Sequence, residues 1–169
     1  MSGEIERQLA ELGERVQAYQ SAVDDYDREM ARLLGVNETD LRCLELLIGG
    51  EALLPSELGA ALGLTTGSVT AMLDRLEKLG LLTRAPHPVD RRKTLVRITE
   101  SAVARCFELL APHIEEGSAE VRKRYDVEQL KLINDFLATV TDVQTRHVQS
   151  LRAVPTPETA RRRTSNKGS

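Results

Sequence analysis

Residues 55–99, PSELGAALGLTTGSVTAMLDRLEKLGLLTRAPHPVDRRKTLVRIT, decide the fold. The first part, PSELGAALGL, reads as a short helix over about 55–62 that Gly63 closes. A second helix follows at once over 66–79, with Val69, Leu73, Leu76 and Leu79 on one face. Thr65 or Thr66 stands where an N-cap is needed, and Gly80 where the helix must stop. Two helices joined by a tight, Gly-containing turn form a helix-turn-helix. The pattern then changes. LLTR and TLVRI are short, alternating and partly β-branched, which suits strands. Between them, APHPVDRRK holds two prolines and four charged residues and has no place in a buried strand, so a β-hairpin with a basic tip is predicted.

Working outward toward the N-terminus, a helix carries Leu41, Leu44, Leu47 and Ile48 and ends at Gly49-Gly50, with Asn37 or Thr39 as its cap. Before it, residues 5–34 contain no proline and place Ile5, Leu9, Leu12, Val16, Tyr19, Val23, Tyr26, Met30 and Leu33 at alternating steps of four and three. That is a heptad seam, and a stripe so narrow needs a partner helix. Dimerisation is the expected use of the seam, with packing inside its own domain as the alternative. Toward the C-terminus, Thr99 is placed to cap a helix carrying Val103, Phe107 and Leu110, which Pro112 is expected to bend or interrupt. A last amphipathic helix over about 126–151 shows Leu130, Ile133, Leu137, Val140 and Val143. From residue 152 onward no apolar period remains, and a basic, disordered tail is expected over 152–169.

The net charge of −3 is unevenly spread. Residues 1–65 carry five Lys/Arg against thirteen Asp/Glu, whereas residues 66–99 carry seven against three. Positive charge thus gathers on the second helix and the hairpin, and the local field governs what binds there. No apolar run reaches the ~18 residues of a membrane span. The N-terminus is acidic and amphipathic, unlike a signal peptide, and a cytoplasmic protein without a membrane partner is expected. Cys43, Cys106, His87, His113 and His147 lack metal-ligand spacing, and no nucleophile, phosphate-loop or paired-carboxylate motif stands out. A catalytic site, a metal and a cofactor are therefore not expected, nor is enzymatic activity. The two cysteines read as small buried hydrophobes.

What remains is nucleic-acid chemistry. Helix 66–79 presents Thr66, Ser68, Thr70, Asp74 and Arg75 away from its apolar face. Small hydroxyl side chains permit close approach to a groove, and helix N-terminal N–H groups favour a phosphate. Arg75 and Lys78 are expected at phosphates. At the hairpin tip, Asp90, Arg91, Arg92 and Lys93 lie in sequence; an arginine on a stiff hairpin suits a narrow minor groove, and Asp90 is placed to brace the backbone or pair with an arginine.

The run from Pro55 to Thr99 resembles the core of the MarR family of winged-helix regulators, on SVT…LDRLEKLGLLTR and the DRR of the hairpin tip. Helix order extends the resemblance over about 5–151. It implies a mainly α fold with a small β-hairpin wing: a winged helix-turn-helix lobe over 37–99, joined to a helical dimerisation part from 1–36 and 100–151. It further implies a homodimeric transcriptional regulator, in most members a repressor, on a pseudo-palindrome of double-stranded DNA. In that comparison Ser68 and Thr70 match DNA-contacting positions, Asp90 and Arg92 form the wing's Asp-x-Arg, and Arg92 is the minor-groove residue. Ala71 stands where many members carry Arg, and Ala102 where a Gly is frequent. Many members are released by small phenolic or anionic effectors, for which Tyr19 and Tyr26 are candidate lining residues, although their heptad positions fit core packing better. The cysteine near the start of the first helix that marks peroxide sensors is missing. A winged-helix module that contacts proteins and does not bind specific DNA remains the alternative.

Overall fold

The computed structural model describes residues 2–154. In order they form α1 (Ser2–Leu34), α2 (Glu38–Ile48), α3 (Pro55–Leu62), α4 (Thr66–Lys78), β1 (Leu82–Pro86), β2 (Thr94–Ile98), α5 (Glu100–Arg124) and α6 (Val127–Arg152). The tail expected over 152–169 lies outside the described residues from position 155 on, and Arg152 still belongs to α6. The chain forms two compact units that divide inside α5, after Ile114.

Local chemistry sets the helix ends of the first unit. Asn37 caps α2: its side chain accepts the Asp40 N–H at 2.9 Å while Asp40 Oδ2 accepts the Asn37 N–H at 3.4 Å. Pro55 opens α3, where its missing N–H costs nothing, and Glu57 reaches back to the Leu54 N–H at 2.7 Å. Gly63 ends α3 with φ of +68°, a left-handed conformation that a β-carbon would strain. Thr65, rather than Thr66, caps α4 by accepting the Ser68 N–H at 3.3 Å. Thr99 accepts the Ala102 N–H at 3.2 Å, as its place at the head of α5 predicts.

The helix-turn-helix closes because α3 and α4 approach at a glycine. A methyl group on Gly59 would lie 3.1 Å from Val69 Cγ2 and 3.4 Å from the Leu64 carbonyl oxygen. Around this crossing, Cys43, Leu44, Leu47, Leu58, Val69, Met72, Leu73, Leu76, Leu82 and Val96 form one buried cluster. Each fully buried leucine there contributes about 1.5–3 kcal/mol of transfer free energy. The strands pair antiparallel in the register Leu82↔Ile98, Arg84↔Val96 and Pro86↔Thr94. Leu53 adds a one-residue third strand, exchanging hydrogen bonds with Val96 at 3.1 and 2.8 Å. That exchange ties the base of the hairpin to the chain just ahead of α3.

The heptad seam of α1 divides in two. Met30 and Ala31 are buried with Leu41, and Tyr26, Leu34, Val36 and Leu109 pack on them. Ile5, Leu9, Leu12, Val16 and Tyr19 remain exposed, Tyr19 at 70%. Packing inside its own domain thus accounts for the C-terminal part of the seam, and the N-terminal part stays exposed. In the second unit, Leu130, Ile133, Phe136 and Val140 of α6 are half-buried, while Leu132, Leu137 and Val143 are exposed. α5 runs through Pro112 without interruption. Pro112 is exposed, as is Glu108 one turn earlier, whose carbonyl is the acceptor that a proline leaves without a donor. Among the described residues, no helix is long and apolar enough to cross a membrane.

Candidate nucleic-acid interface

The apolar face of α4, Val69, Met72, Leu73 and Leu76, is buried, so Thr66, Ser68, Thr70, Ala71, Asp74 and Arg75 point outward and are exposed. The hairpin returns beside it. Thr66, Thr70, Arg92 and Lys93 line a single groove of about 710 Å³, floored by Gly59, Gly63 and Val69. Residues that are 22 or more positions apart in the chain therefore share one concave surface. Two hydroxyls of α4 are already engaged locally. Ser68 Oγ lies 2.9 Å from Thr65 Oγ1, and Thr70 Oγ1 donates to the Thr66 carbonyl at 3.0 Å, which leaves its oxygen lone pairs outward.

At the hairpin tip, Asp90 Oδ1 accepts the Arg92 N–H at 3.1 Å, the backbone brace foreseen for this carboxylate. The Lys93 N–H donates to the Asp90 carbonyl and the His87 N–H to the Lys93 carbonyl, both at 2.9 Å. His87 Nδ1 accepts the N–H groups of Val89 and Asp90, each at 3.2 Å. Arg91, Arg92 and Lys93 are exposed, and among the described residues none has a carboxylate within ion-pairing distance. The tip is a set of uncompensated cations on a hydrogen-bonded loop.

Arg75 differs from the phosphate contact read for it. Its Nε and Nη2 donate to Asp40 Oδ2 and Oδ1 at 2.8 and 2.6 Å, a bidentate pair between α4 and α2. Asp40 is fully buried, and that hydrogen bond holds the guanidinium still more firmly in its charged form. The pair compensates this cation inside the protein and links α4 to α2. Asp74 is engaged as well: Arg84 of β1 donates to its Oδ1 at 2.7 Å and lies 3.5 Å from Glu77. That pair clamps the hairpin to α4 and gathers the two carboxylates of α4 around one arginine. Sequence reasoning missed Arg84, His87 and Asp40. The alternation of β1, which turns Arg84 toward α4, was the one available signal.

Tyr19 and Tyr26 part company. Tyr26 borders a cavity of about 120 Å³ with Met30, Leu41, Leu44, Ile48, Cys106 and Leu110, which Asp27 and Glu45 also line. Its hydroxyl is buried without a hydrogen-bond partner among the described residues, and burial, then the nearby Asp27 charge, raises its pKa. Its ring stacks on His113 with centroids 4.6 Å apart. Tyr19 does not line this cavity. Burial likewise raises Glu45 and Cys106, while Cys43 is pushed from 9.0 to about 11, by burial first and the Asp40 charge second. Both cysteines are buried, as small hydrophobes are. Among the described residues, no three His, Cys, Asp or Glu side chains gather as a metal site.

Comparison with known proteins points the same way. The sequence profile of the MarR family matches residues 34–93. The uncharacterized HTH-type transcriptional regulator YcgE of Bacillus subtilis is 32% identical over 127 residues, 75% of this chain and 82% of that protein. MhqR, another HTH-type transcriptional regulator of Bacillus subtilis, is 34% identical over 101 residues, 59% of this chain and 68% of its own. Among solved structures, a MarR family protein from Bacillus stearothermophilus superposes with a TM-score of 0.66 at 20% identity, covering 83% of this chain and 97% of that one. A mutant of MarR from E. coli, crystallised with operator DNA, superposes with a TM-score of 0.53 at 25% identity, covering 76% and 92%.

Proposed function

The chain belongs to the MarR family of DNA-binding transcriptional regulators, and from that premise we propose that it is a repressor that grips a pseudo-palindromic operator as a homodimer and is released by a small molecule. One observation carries the reading. Uncompensated Arg92 and Lys93 share a groove with Thr66 and Thr70, so that α4 and the wing offer one continuous face to a duplex. α4 enters the major groove, where Thr66, Ser68 and Thr70 meet base edges or backbone. Arg92 enters the adjacent minor groove, with Arg91 and Lys93 at phosphates and Asp90 holding the loop.

Homodimerisation is supported by the exposed run Ile5, Leu9, Leu12, Val16 and Tyr19, which keeps its heptad spacing and has no cover within its own unit. Two lobes then address half-sites about one helical turn apart, ~34–36 Å. Release by an effector is supported by the cavity beside Tyr26. Its size is on the scale of one aromatic ring, its walls are mainly apolar, and the buried Tyr26 hydroxyl offers one unsatisfied polar handle.

Selection of genomic fragments by the full chain, followed by sequencing, tests the reading. It is expected to return a short pseudo-palindrome bound about a thousandfold or more tighter than a random duplex at physiological salt. Equal, weak affinity for both duplexes would refute operator recognition and favour a winged-helix module that contacts proteins.

A further inference from the structure

His87 lacks metal-ligand spacing, yet the tip of the wing is built around its ring. We propose that His87 is the positioning residue of the wing: its Nδ1 gathers the backbone of Val89 and Asp90 and thereby sets where Arg92 points. The inference deepens the operator-binding reading and rests on it.

The chain at this point reads Pro86-His87-Pro88, with a fixed φ on either side of the histidine. Pro88 has no N–H, so the first two donors beyond it are those of Val89 and Asp90. Both converge on His87 Nδ1, at 3.2 Å each. The same residue's N–H reaches the Lys93 carbonyl at 2.9 Å, extending the β1–β2 register by one position beyond Pro86↔Thr94. With Asp90 so placed, its carbonyl takes the Lys93 N–H at 2.9 Å and its Oδ1 takes the Arg92 N–H at 3.1 Å. Remove the acceptor at residue 87 and the link between the ring and Asp90 is gone. The Asp90 and Arg92 backbone is then free to sample other turns.

Little else is available to hold this tip. Val89 is 89% exposed, and none of the hydrogen bonds of the Arg91 and Arg92 side chains is made inside the protein among the described residues. An arginine that must enter a narrow groove binds well only if its loop is ordered beforehand, because ordering on contact is subtracted from the binding free energy. The ring achieves this with an acceptor, and only one ring form supplies it: Nδ1 carrying a proton has no lone pair to offer, so the ring proton sits on Nε2. Asparagine places Oδ1 on the same Cγ and is the side chain that reproduces this acceptor in turns. Leucine fills comparable space without one.

The test uses the full-length protein, the duplex recovered by genomic selection and a random duplex of equal length. His87→Leu is expected to bind the selected duplex about tenfold more weakly, with helix content unchanged, as two modest hydrogen bonds are lost. His87→Asn is expected to stay within about threefold of the wild type. In histidine-labelled protein, nitrogen NMR is expected to show one ring with its proton on Nε2 whose signals vanish in both variants. Wild-type affinity in His87→Leu would overturn the proposal. So would an equal loss in His87→Asn, which would assign the effect to the ring and not the acceptor, or an Nδ1–H ring at this position. A wild type that fails to discriminate the two duplexes removes the operator reading itself, and is seen before any variant is compared.

Discussion

Severing the Asp40–Arg75 pair separates bracing from DNA contact. Asp40→Asn keeps the shape but offers one oxygen where Arg75 Nε and Nη2 now meet two, at 2.8 and 2.6 Å. Removing one partner of a fully buried pair costs ~3–5 kcal/mol. Asp40 is fully buried, but the Arg75 side chain is 46% exposed, so water recovers part of its charge. The expected loss falls to about 2–3 kcal/mol after that discount. Arg75→Met strands the buried carboxylate and is expected to cost a similar amount. The double variant should lose scarcely more than either single one, a coupling of about 2 kcal/mol. Urea unfolding followed by circular dichroism, at one protein concentration, measures all four stabilities. Operator titration adds an independent check: bracing weakens binding at an unchanged salt slope, whereas a phosphate contact would flatten the slope by about one ion. Coupling under about 0.5 kcal/mol, or a flattened slope in Arg75→Met, would refute the reasoning.

Three further outcomes are expected. The Cys43 thiol is raised from 9.0 to about 11, mainly by burial, so the unfolded chain ionises there first. The stabilisation this represents is complete below pH 9 and is lost as pH climbs to 11, so unfolding profiles of wild type and Cys43→Ala should converge by up to about 2 kcal/mol over that window; parallel profiles would contradict it. Gly59→Ala drives a methyl group to 3.1 Å from Val69 Cγ2 and should cost about 1–2 kcal/mol in urea unfolding, with no loss meaning that α3 and α4 separate freely. Leu9→Lys with Leu12→Lys should halve the mass found by sedimentation while helix content persists, because both side chains are exposed on the free seam. An unchanged dimer would relocate the interface.

Most of the fold was legible because it rests on local signals. Gly63, Thr65 and the four apolar residues from Val69 to Leu79 mark the helix-turn-helix, and the prolines around His87 mark the hairpin tip. Periodicity could not say what covers a stripe. The steps of α1 are the same from Ile5 to Leu33, yet only its C-terminal part meets Leu41 and Leu109. Charge was the harder reading. Arg75 on a polar helix face looks the same whether its partner is a phosphate or an acid 35 residues away. Asp40, in the first turn of α2, gives no sign in the sequence of its full burial. His87 carries no ligand spacing, and its role lies in a hydrogen bond to backbone that no side-chain pattern reveals.

The most direct test of the account is the salt dependence of binding to the selected duplex, for the wild type and for Arg92→Ala. Tight, steeply salt-dependent binding by the wild type is expected, with Arg92→Ala weaker by about 2 kcal/mol and its slope reduced by about one ion. Identical affinities and slopes for the two proteins would contradict it.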